Sequence, residues 1–176
     1  MTDLKTLSYS SDIGTLSESK SGLTFTVTMP PHKPDYSFFA NGNFEAEGYF
    51  VLEYSTMGWR RPSIHRHPCI VALGEDGEDL TLVTCDDLTA DGRKYTVAVR
   101  MPEGKYTKLR FTFCHGKRKS FDFTVHKIYT CTRDDLPTYC ADLVTEGAKD
   151  FTTIDLSEKF NSEFSNDEFD VKLGGG

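Results

Sequence analysis

Two histidines and a cysteine at alternate positions, His65, His67 and Cys69, are the residues whose types and spacing most directly suggest chemistry. On an extended segment, positions i, i+2 and i+4 lie on one side of the backbone. Imidazole nitrogens and a thiolate gathered there are good ligands for zinc or iron. Pro68 interrupts the segment and three nearby arginines oppose a bound cation. The alternative is therefore a solvated loop that leads into a strand with Cys69 buried.

A second cluster surrounds the only tryptophan in the sequence. An indole ring can stack on the apolar face of a sugar, and an arginine beside it supplies donors for the sugar hydroxyl groups. We therefore predict contact with a carbohydrate ligand through Tyr54, Trp59, Arg60, Arg61 and His65. The alternative for Trp59 is a place in the core beneath the loop, which is common in β-sandwiches.

Acidic residues occur in pairs and triplets within stretches of turn composition. The clearest are Asp86-Asp87, Asp134-Asp135, and Asp76 with Glu78 and Asp79. A glycosidase needs two carboxylates about 5–10 Å apart across a cleft, and no pair is singled out by its spacing. We interpret these acids as solvated turn residues. A structural Ca²⁺ ion is the one cofactor that such oxygen-rich turns suit, and no other cofactor is predicted.

No motif of a nucleophile elbow, a phosphate-binding loop or a zinc protease occurs in the sequence. No spacing singles out a serine–histidine or cysteine–histidine pair either. We therefore interpret His115 and His126 as ordinary strand or turn residues. The expectation is a chain without catalytic activity of its own.

Short alternating strands must position these side chains. The clearest is Leu23–Met29, where apolar residues alternate with threonines. Further strands are predicted at Tyr49–Tyr54, Cys69–Leu73, Leu80–Thr84, Tyr95–Arg100, Lys108–Cys114 and Phe121–Tyr129. Turns are predicted at Asn41-Gly42, Glu75-Asp76-Gly77, Ala90-Asp91-Gly92, Pro102-Glu103-Gly104 and His115-Gly116-Lys117. This spacing predicts an all-β fold, an antiparallel two-sheet β-sandwich of the jelly-roll type with about eight to ten strands.

Residues 1–140 are predicted to form the sandwich domain. Residues 141–176 are predicted to be an acidic C-terminal extension or linker that can pack on the sandwich. One-turn helices are expected near Arg133–Leu136 and Leu156–Phe160. The polar N-terminal segment around Tyr9 is expected to add an edge strand.

The net charge of −7 comes from the C-terminal part of the chain. Residues 1–131 contain 16 Lys/Arg and 16 Asp/Glu, whereas residues 132–176 contain 4 and 11. Without a positive excess to bind phosphates, nucleic acid is not predicted as a partner. No window approaches the about 20 apolar residues that span a bilayer, so no membrane partner is predicted. A protein-interaction or assembly module, acting through the acidic tail at 162–176, remains an alternative.

The five cysteines are an odd number without a C-x-x-C pair: Cys69, Cys85, Cys114, Cys131 and Cys140. Such usage is typical of buried, reduced thiols in an intracellular protein. With the absence of a signal-peptide pattern at the N-terminus, it favours a cytoplasmic location. A disulfide between Cys131 and Cys140 is the alternative.

The histidine pair resembles a motif of the cupin family, small β-barrels that bind a metal through H-x-H. Gly58 lies seven residues before His65, and Pro102-Glu103-Gly104 is similar to the later P-x-G motif of the family. Only His65 and His67 match the metal ligands. The resemblance implies a metal-dependent enzyme as an alternative function.

The order of features also resembles the β-sandwich accessory domains of bacterial carbohydrate-active enzymes, which are jelly-roll or galactose-binding-like modules. The resemblance is carried by the Tyr49–Tyr54 strand, the basic tryptophan loop, the Val99–Phe113 hairpin and the Ile154–Asn161 segment, within about residues 20–165. It implies a non-catalytic carbohydrate-binding or accessory module associated with a glycoside hydrolase. Its partners would be a carbohydrate and a catalytic domain or subunit.

Overall fold

The computed structural model of the protein describes residues 1–28, 35–59, 67–114, 120–137 and 151–155. This part of the chain is antiparallel β-structure with three short 3₁₀ helices, at Leu4–Thr6, Cys85–Asp87 and Arg133–Asp135. The prediction of an all-β fold is confirmed. Over the same residues, no helix has the length and apolar character needed to cross a membrane.

Ten strands in the described ranges belong to one hydrogen-bonded network. In chain order they are β1 (Thr2–Asp3), β2 (Ser8–Ser11), β3 (Thr15–Ser19), β4 (Gly22–Val27), β5 (Asp35–Met57), β6 (Pro68–Gly74), β7 (Asp79–Thr84), β8 (Tyr95–Cys114), β9 (Phe121–Cys131) and β10 (Phe151–Asp155). The main path through the sheet is β3-β4-β9-β5-β8-β6-β7. In addition, β1 pairs with β9, β2 with β5 and β10 with β8.

The two longest strands, β5 and β8, pair along most of their length through two register shifts. At the first shift, β5 advances by three residues, from Asn41 to Phe44, while β8 advances by two. At the second shift, β8 advances by three residues while β5 advances by two. The turns predicted at Asn41-Gly42 and Pro102-Glu103-Gly104 are therefore wrong. Both sequences form β-bulges inside continuous strands, because each strand holds the other in register on either side of the irregularity.

The alternating pattern of the fourth strand is confirmed where the structure describes it. Leu23, Phe25 and Val27 are buried in β4, and the threonines between them are half-buried. Met29, at the end of the predicted strand, lies outside the described residues. The predicted turn after β6 is also confirmed, since the Gly77 N–H donates to the Gly74 carbonyl at 3.0 Å.

Both ends of the chain add strands to this network. The N-terminal edge strand is confirmed as β2, which pairs with β5, and the turn near Arg133 is confirmed as a 3₁₀ helix. The polar strand β3 was not predicted, because its sequence Thr-Leu-Ser-Glu-Ser offers little apolar alternation. Within the predicted extension, β10 pairs with β8 at Tyr95–Val99. The helix expected at Leu156–Phe160 falls outside the described residues.

The core contains a cluster of phenylalanine rings from several strands. Phe38 of β5 stacks on Phe111 of β8 with a centroid distance of 4.2 Å, and it also meets Phe25 of β4 at 4.9 Å. Phe113 of β8 lies 4.8 Å from Phe123 of β9. Because β4 and β5 do not pair with each other, these contacts require a strongly curved sheet that buries its aromatic face.

Candidate functional site

The single tryptophan lies in the hydrophobic core. Trp59 follows the end of β5 and is only 3% exposed. Its ring meets Phe113 edge-on, at a centroid distance of 5.3 Å and an angle of 86°. The sequence left Trp59 either as a sugar-stacking residue or as a core residue, and the structure places it in the core. The indole therefore presents no open face to a sugar.

Tyr54, the other aromatic member of the predicted carbohydrate site, is also buried. Its ring stacks on Phe123 at 5.5 Å, and its hydroxyl accepts a hydrogen bond from the Thr89 N–H at 2.8 Å. Burial raises the pKa of this phenol. The remaining members, Arg60, Arg61 and His65, lie outside the described residues. A ligand contact through those three side chains stays a prediction.

The proposed metal-binding segment is described from His67 onward. The Nδ1 atom of His67 lies 3.0 Å from the Pro68 carbonyl, which can only accept, so this nitrogen is a donor. Cys69 is fully buried. Among the residues that the structure describes, no group of three or more His, Cys, Asp or Glu is arranged to hold a metal ion. Because His65 is outside this range, the metal alternative at His65 and His67 stays a prediction.

Three of the cysteines are interior residues. Cys69, Cys85 and Cys131 are buried, as predicted for structural thiols. Cys131 is a free thiol, which argues against the alternative of a disulfide with Cys140. Desolvation, followed by the nearby charges of Asp135 and Glu47, raises the pKa of Cys131 to about 11. It therefore stays protonated and poorly nucleophilic at neutral pH.

Two adjoining open clefts lie beside the bulges of β5 and β8. The first encloses about 520 Å³ and is lined by Glu45, Ala46, Glu47, Glu103, Gly104, Lys105 and Thr132. The second encloses about 350 Å³ and is lined by Gly74, Asp76, Glu78, Asp79, Leu80 and the segment from Pro102 to Tyr106. Glu103, Gly104 and Lys105 form the wall that the clefts share. We call this pair the bulge clefts.

Hydrogen bonds fix the walls of the bulge clefts. The Tyr106 hydroxyl donates to the Pro102 carbonyl at 2.9 Å and spans the β8 bulge. The Glu75 N–H donates to the Lys105 carbonyl at 2.9 Å, which ties the β6–β7 turn to that bulge. On the far side, the Glu47 carboxylate accepts from the terminal amine of Met1 at 3.4 Å. The acidic side chains therefore project from a backbone that is held in place.

The bulge clefts are strongly acidic. Six carboxylates line them against one ammonium group, that of Lys105: Glu45, Glu47, Asp76, Glu78, Asp79 and Glu103. Two of the six have a cationic neighbour outside the lining: Asp79 lies 3.8 Å from Arg110, and Glu47 lies 3.4 Å from the terminal amine of Met1. Such a surface can accept hydrogen bonds from hydroxyl or ammonium groups.

The acidic bulge clefts are not predicted from the sequence. The sequence predicts Asp76, Glu78 and Asp79 in a solvated turn, where they do lie, but it also predicts Glu103 as a turn residue between two separate strands. In the structure Glu103 belongs to a bulge, and the β6–β7 turn docks against that bulge. The signal in the sequence that could have indicated the bulges is the glycine in Asn41-Gly42 and in Pro102-Glu103-Gly104, because such segments are compatible with bulges as well as with turns.

Neither a protein-family model nor a curated protein matches this chain.

Proposed function

We propose that the chain is a carbohydrate-binding module, an accessory domain of a glycan-processing enzyme, and that the glycan lies in the bulge clefts. The observation that carries this proposal is the wall common to both clefts, to which the β8 bulge contributes Glu103 and the adjoining strand contributes Lys105. This location differs from the tryptophan loop predicted from sequence, since Tyr54 and Trp59 are buried.

The chemistry of the wall matches that of a sugar. A hydroxyl group both donates and accepts hydrogen bonds, so it needs acceptors and donors within one cleft. Carboxylates such as Glu45 and Glu103 accept, and the Lys105 ammonium donates. The volumes of about 520 and 350 Å³ fall in the range of small-ligand sites, so neighbouring sugar units of one chain could occupy the two clefts.

The charge of the clefts favours particular glycans. Six carboxylates repel a uronate or a sulfated sugar, and they attract the ammonium group of an amino sugar. We expect neutral or amino sugars to bind and acidic sugars to be excluded. Open clefts of this kind bind weakly, so avidity would come from the linked enzyme or from repeated glycan units.

The proposal includes the finer architecture of a two-sheet, jelly-roll-like sandwich. The first segment of β5 and the last segment of β8 pair with β2 and β6, whereas the other segments pair with β9 and β10. Ring contacts between Phe25 and Phe38 and between Phe113 and Phe123 join these two groups of strands. The bulges would then mark the bend at which β5 and β8 pass from one layer to the other.

The proposal is tested by glycan-array binding of the wild type and of Glu103→Gln and Lys105→Ala. We expect the wild type to bind neutral or amino glycans. Lys105→Ala should lose at least about tenfold in affinity, since hydrogen bonds to charged groups contribute about 1.5–3 kcal/mol. Glu103→Gln should lose less, because its amide oxygen still accepts a hydrogen bond. The matched control is Glu18→Gln, an exposed acid on β3. No glycan binding by the wild type, or equal binding by all four proteins, would contradict the proposal.

A basic protein partner is the second candidate, and the excess of carboxylates over cations in the bulge clefts favours it. Complexes of this kind weaken steeply as salt rises, because exposed charges are screened beyond about 8 Å at physiological ionic strength. Binding of a neutral glycan depends much less on salt. Titrations at low and high salt therefore separate the two candidates.

A further inference from the structure

Ser55 and His126 form a hydrogen-bonded pair on neighbouring strands. The Ser55 Oγ atom lies 2.9 Å from Nε2 of His126, and both side chains are half-buried. The pairing of β5 with β9 shifts here: Glu53 faces Lys127 and Tyr54 faces Val125, so His126 is an extra residue in β9. It therefore sits on a β-bulge, a feature that often re-aims a side chain at a functional site.

A second contact fixes which nitrogen of the imidazole carries the proton. The Nδ1 atom of His126 lies 2.6 Å from the Ser21 carbonyl, which can only accept a hydrogen bond. In the neutral ring, Nδ1 is therefore the donor and Nε2 the acceptor. It follows that the Ser55 hydroxyl donates to Nε2. A nucleophile bonded to a base, with the base oriented by a third group, is the arrangement of activated serines.

The charged groups around the pair come from three parts of the chain. Lys5 donates to the His126 carbonyl at 3.4 Å, and Lys94 pairs with Glu53 at 3.9 Å. Desolvation is the largest cause that lowers the pKa of His126; Lys94 and Lys5 lower it further, while the bond to Ser21 and the charge of Glu53 raise it. The ring is therefore neutral, and able to accept a proton, at pH 7.

We propose that Ser55 is a nucleophile activated by His126 and that the chain transfers acyl groups from small esters to water. Ser55 Oγ forms a bond to the ester carbonyl carbon while its proton moves to Nε2 of His126. The bond from that carbon to the alcohol oxygen breaks, and His126 returns the proton to the departing alcohol. Water then releases the acid from the acyl-serine by the same two proton transfers.

This reaction is independent of glycan binding in the bulge clefts. Ser55 follows Glu47 by eight residues on β5, which corresponds to roughly 26 Å along an extended strand. The failure of one proposal therefore leaves the other intact. The sequence offered no signal, because Ser55 and His126 are separated by 71 positions and only the β9 bulge brings them together.

The test is covalent labelling of the intact chain with a fluorophosphonate, which phosphonylates an activated serine and releases fluoride. We expect peptide mass mapping to locate the label at Ser55, with Ser55→Ala unlabelled. His126→Gln should react about 100-fold more slowly, since a general base contributes at least about that factor. The matched control is Ser17→Ala, which changes an exposed serine on β3. It should label like the wild type.

The pH dependence of the wild type provides a second measurement that needs no variant. Labelling should remain constant at and above neutral pH and fall only in acid, as His126 becomes protonated below the ordinary histidine range. The proposal is overturned if Ser55 takes up no more label than Ser17, if folded His126→Gln reacts as fast as the wild type, or if the rate does not fall in acid.

Discussion

At the scale of single residues, the indole of Trp59 contributes to stability and not to an exposed ligand surface. We predict that Trp59→Ala lowers the free energy of unfolding by about 3–5 kcal/mol, because it leaves a large cavity beside Phe113. Urea denaturation measures this loss. Met57→Ala, two positions earlier and 57% exposed, is the control and should change the stability by less than about 0.5 kcal/mol. A Trp59→Ala protein of unchanged stability would contradict the core assignment.

A second residue-scale prediction concerns alkaline pH. Burial raises the pKa of Cys131 from 9.0 to about 11, so the folded state holds this proton more tightly than the unfolded state does. The thiol therefore contributes stability that is fully present below pH 9 and is lost between about pH 9 and 11. Thermal melting across this range should show a smaller alkaline decline in Cys131→Ala. Equal declines in both proteins would mean that the thiol does not contribute.

At the scale of strands, local pattern predicted most elements and failed where pairing between distant segments decides the outcome. The alternation of Leu23–Val27 and the turn at Glu75–Gly77 needed no information beyond their own residues. Asn41-Gly42 and Pro102-Glu103-Gly104 are equally good turn sequences, yet both are bulges because β5 and β8 pair continuously across them. The polar strand β3 exists because its partner β4 is apolar and well paired on its other side with β9.

The same distinction between local pattern and distant pairing applies to the residues of the candidate sites. The acids Asp76, Glu78 and Asp79 can be read from the sequence as a cluster. The position of Glu103 beside them depends on a bulge, which only the pairing of strands in the sheet defines. Whether Trp59 is exposed depends on distant rings such as Phe113, and no spacing in the sequence encodes that contact. The pair of Ser55 and His126 requires a register shift between β5 and β9.

A strand-scale prediction concerns β10, which covers one side of β8 at Tyr95–Val99. A chain that ends at Pro137 lacks this strand, so backbone amides in Tyr95–Val99 lose partners and should exchange hydrogen faster. Exchange at Lys108–Phe111 should not change, because that segment pairs with β5 and β6. Hydrogen exchange followed by mass spectrometry measures both segments.

A chain that ends at Asp155 retains β10 and is the control for this truncation. It should protect Tyr95–Val99 as the full chain does. Unchanged exchange after truncation at Pro137 would mean that β10 does not contribute to the protection of β8.

At the scale of the whole molecule, the fold separates a rigid aromatic interior from an acidic end. That end contains the bulges of β5 and β8, the β6–β7 turn and the N-terminal amine, and its clefts are lined by six carboxylates and Lys105. Surface charge of this kind governs which charged ligands approach the clefts, and it contributes little to the stability of the fold. The shape and charge of the bulge clefts therefore suit ligand recognition.

The most direct test is an NMR titration of the full chain with a neutral or amino glycan that binds it on the array, in which the backbone amide signals are followed. We predict shifts confined to the bulge clefts, in Phe44–Gly48, Gly74–Asp79 and Pro102–Tyr106. Shifts concentrated on Gly58–His67 instead, or no shift at saturating glycan, would contradict this prediction.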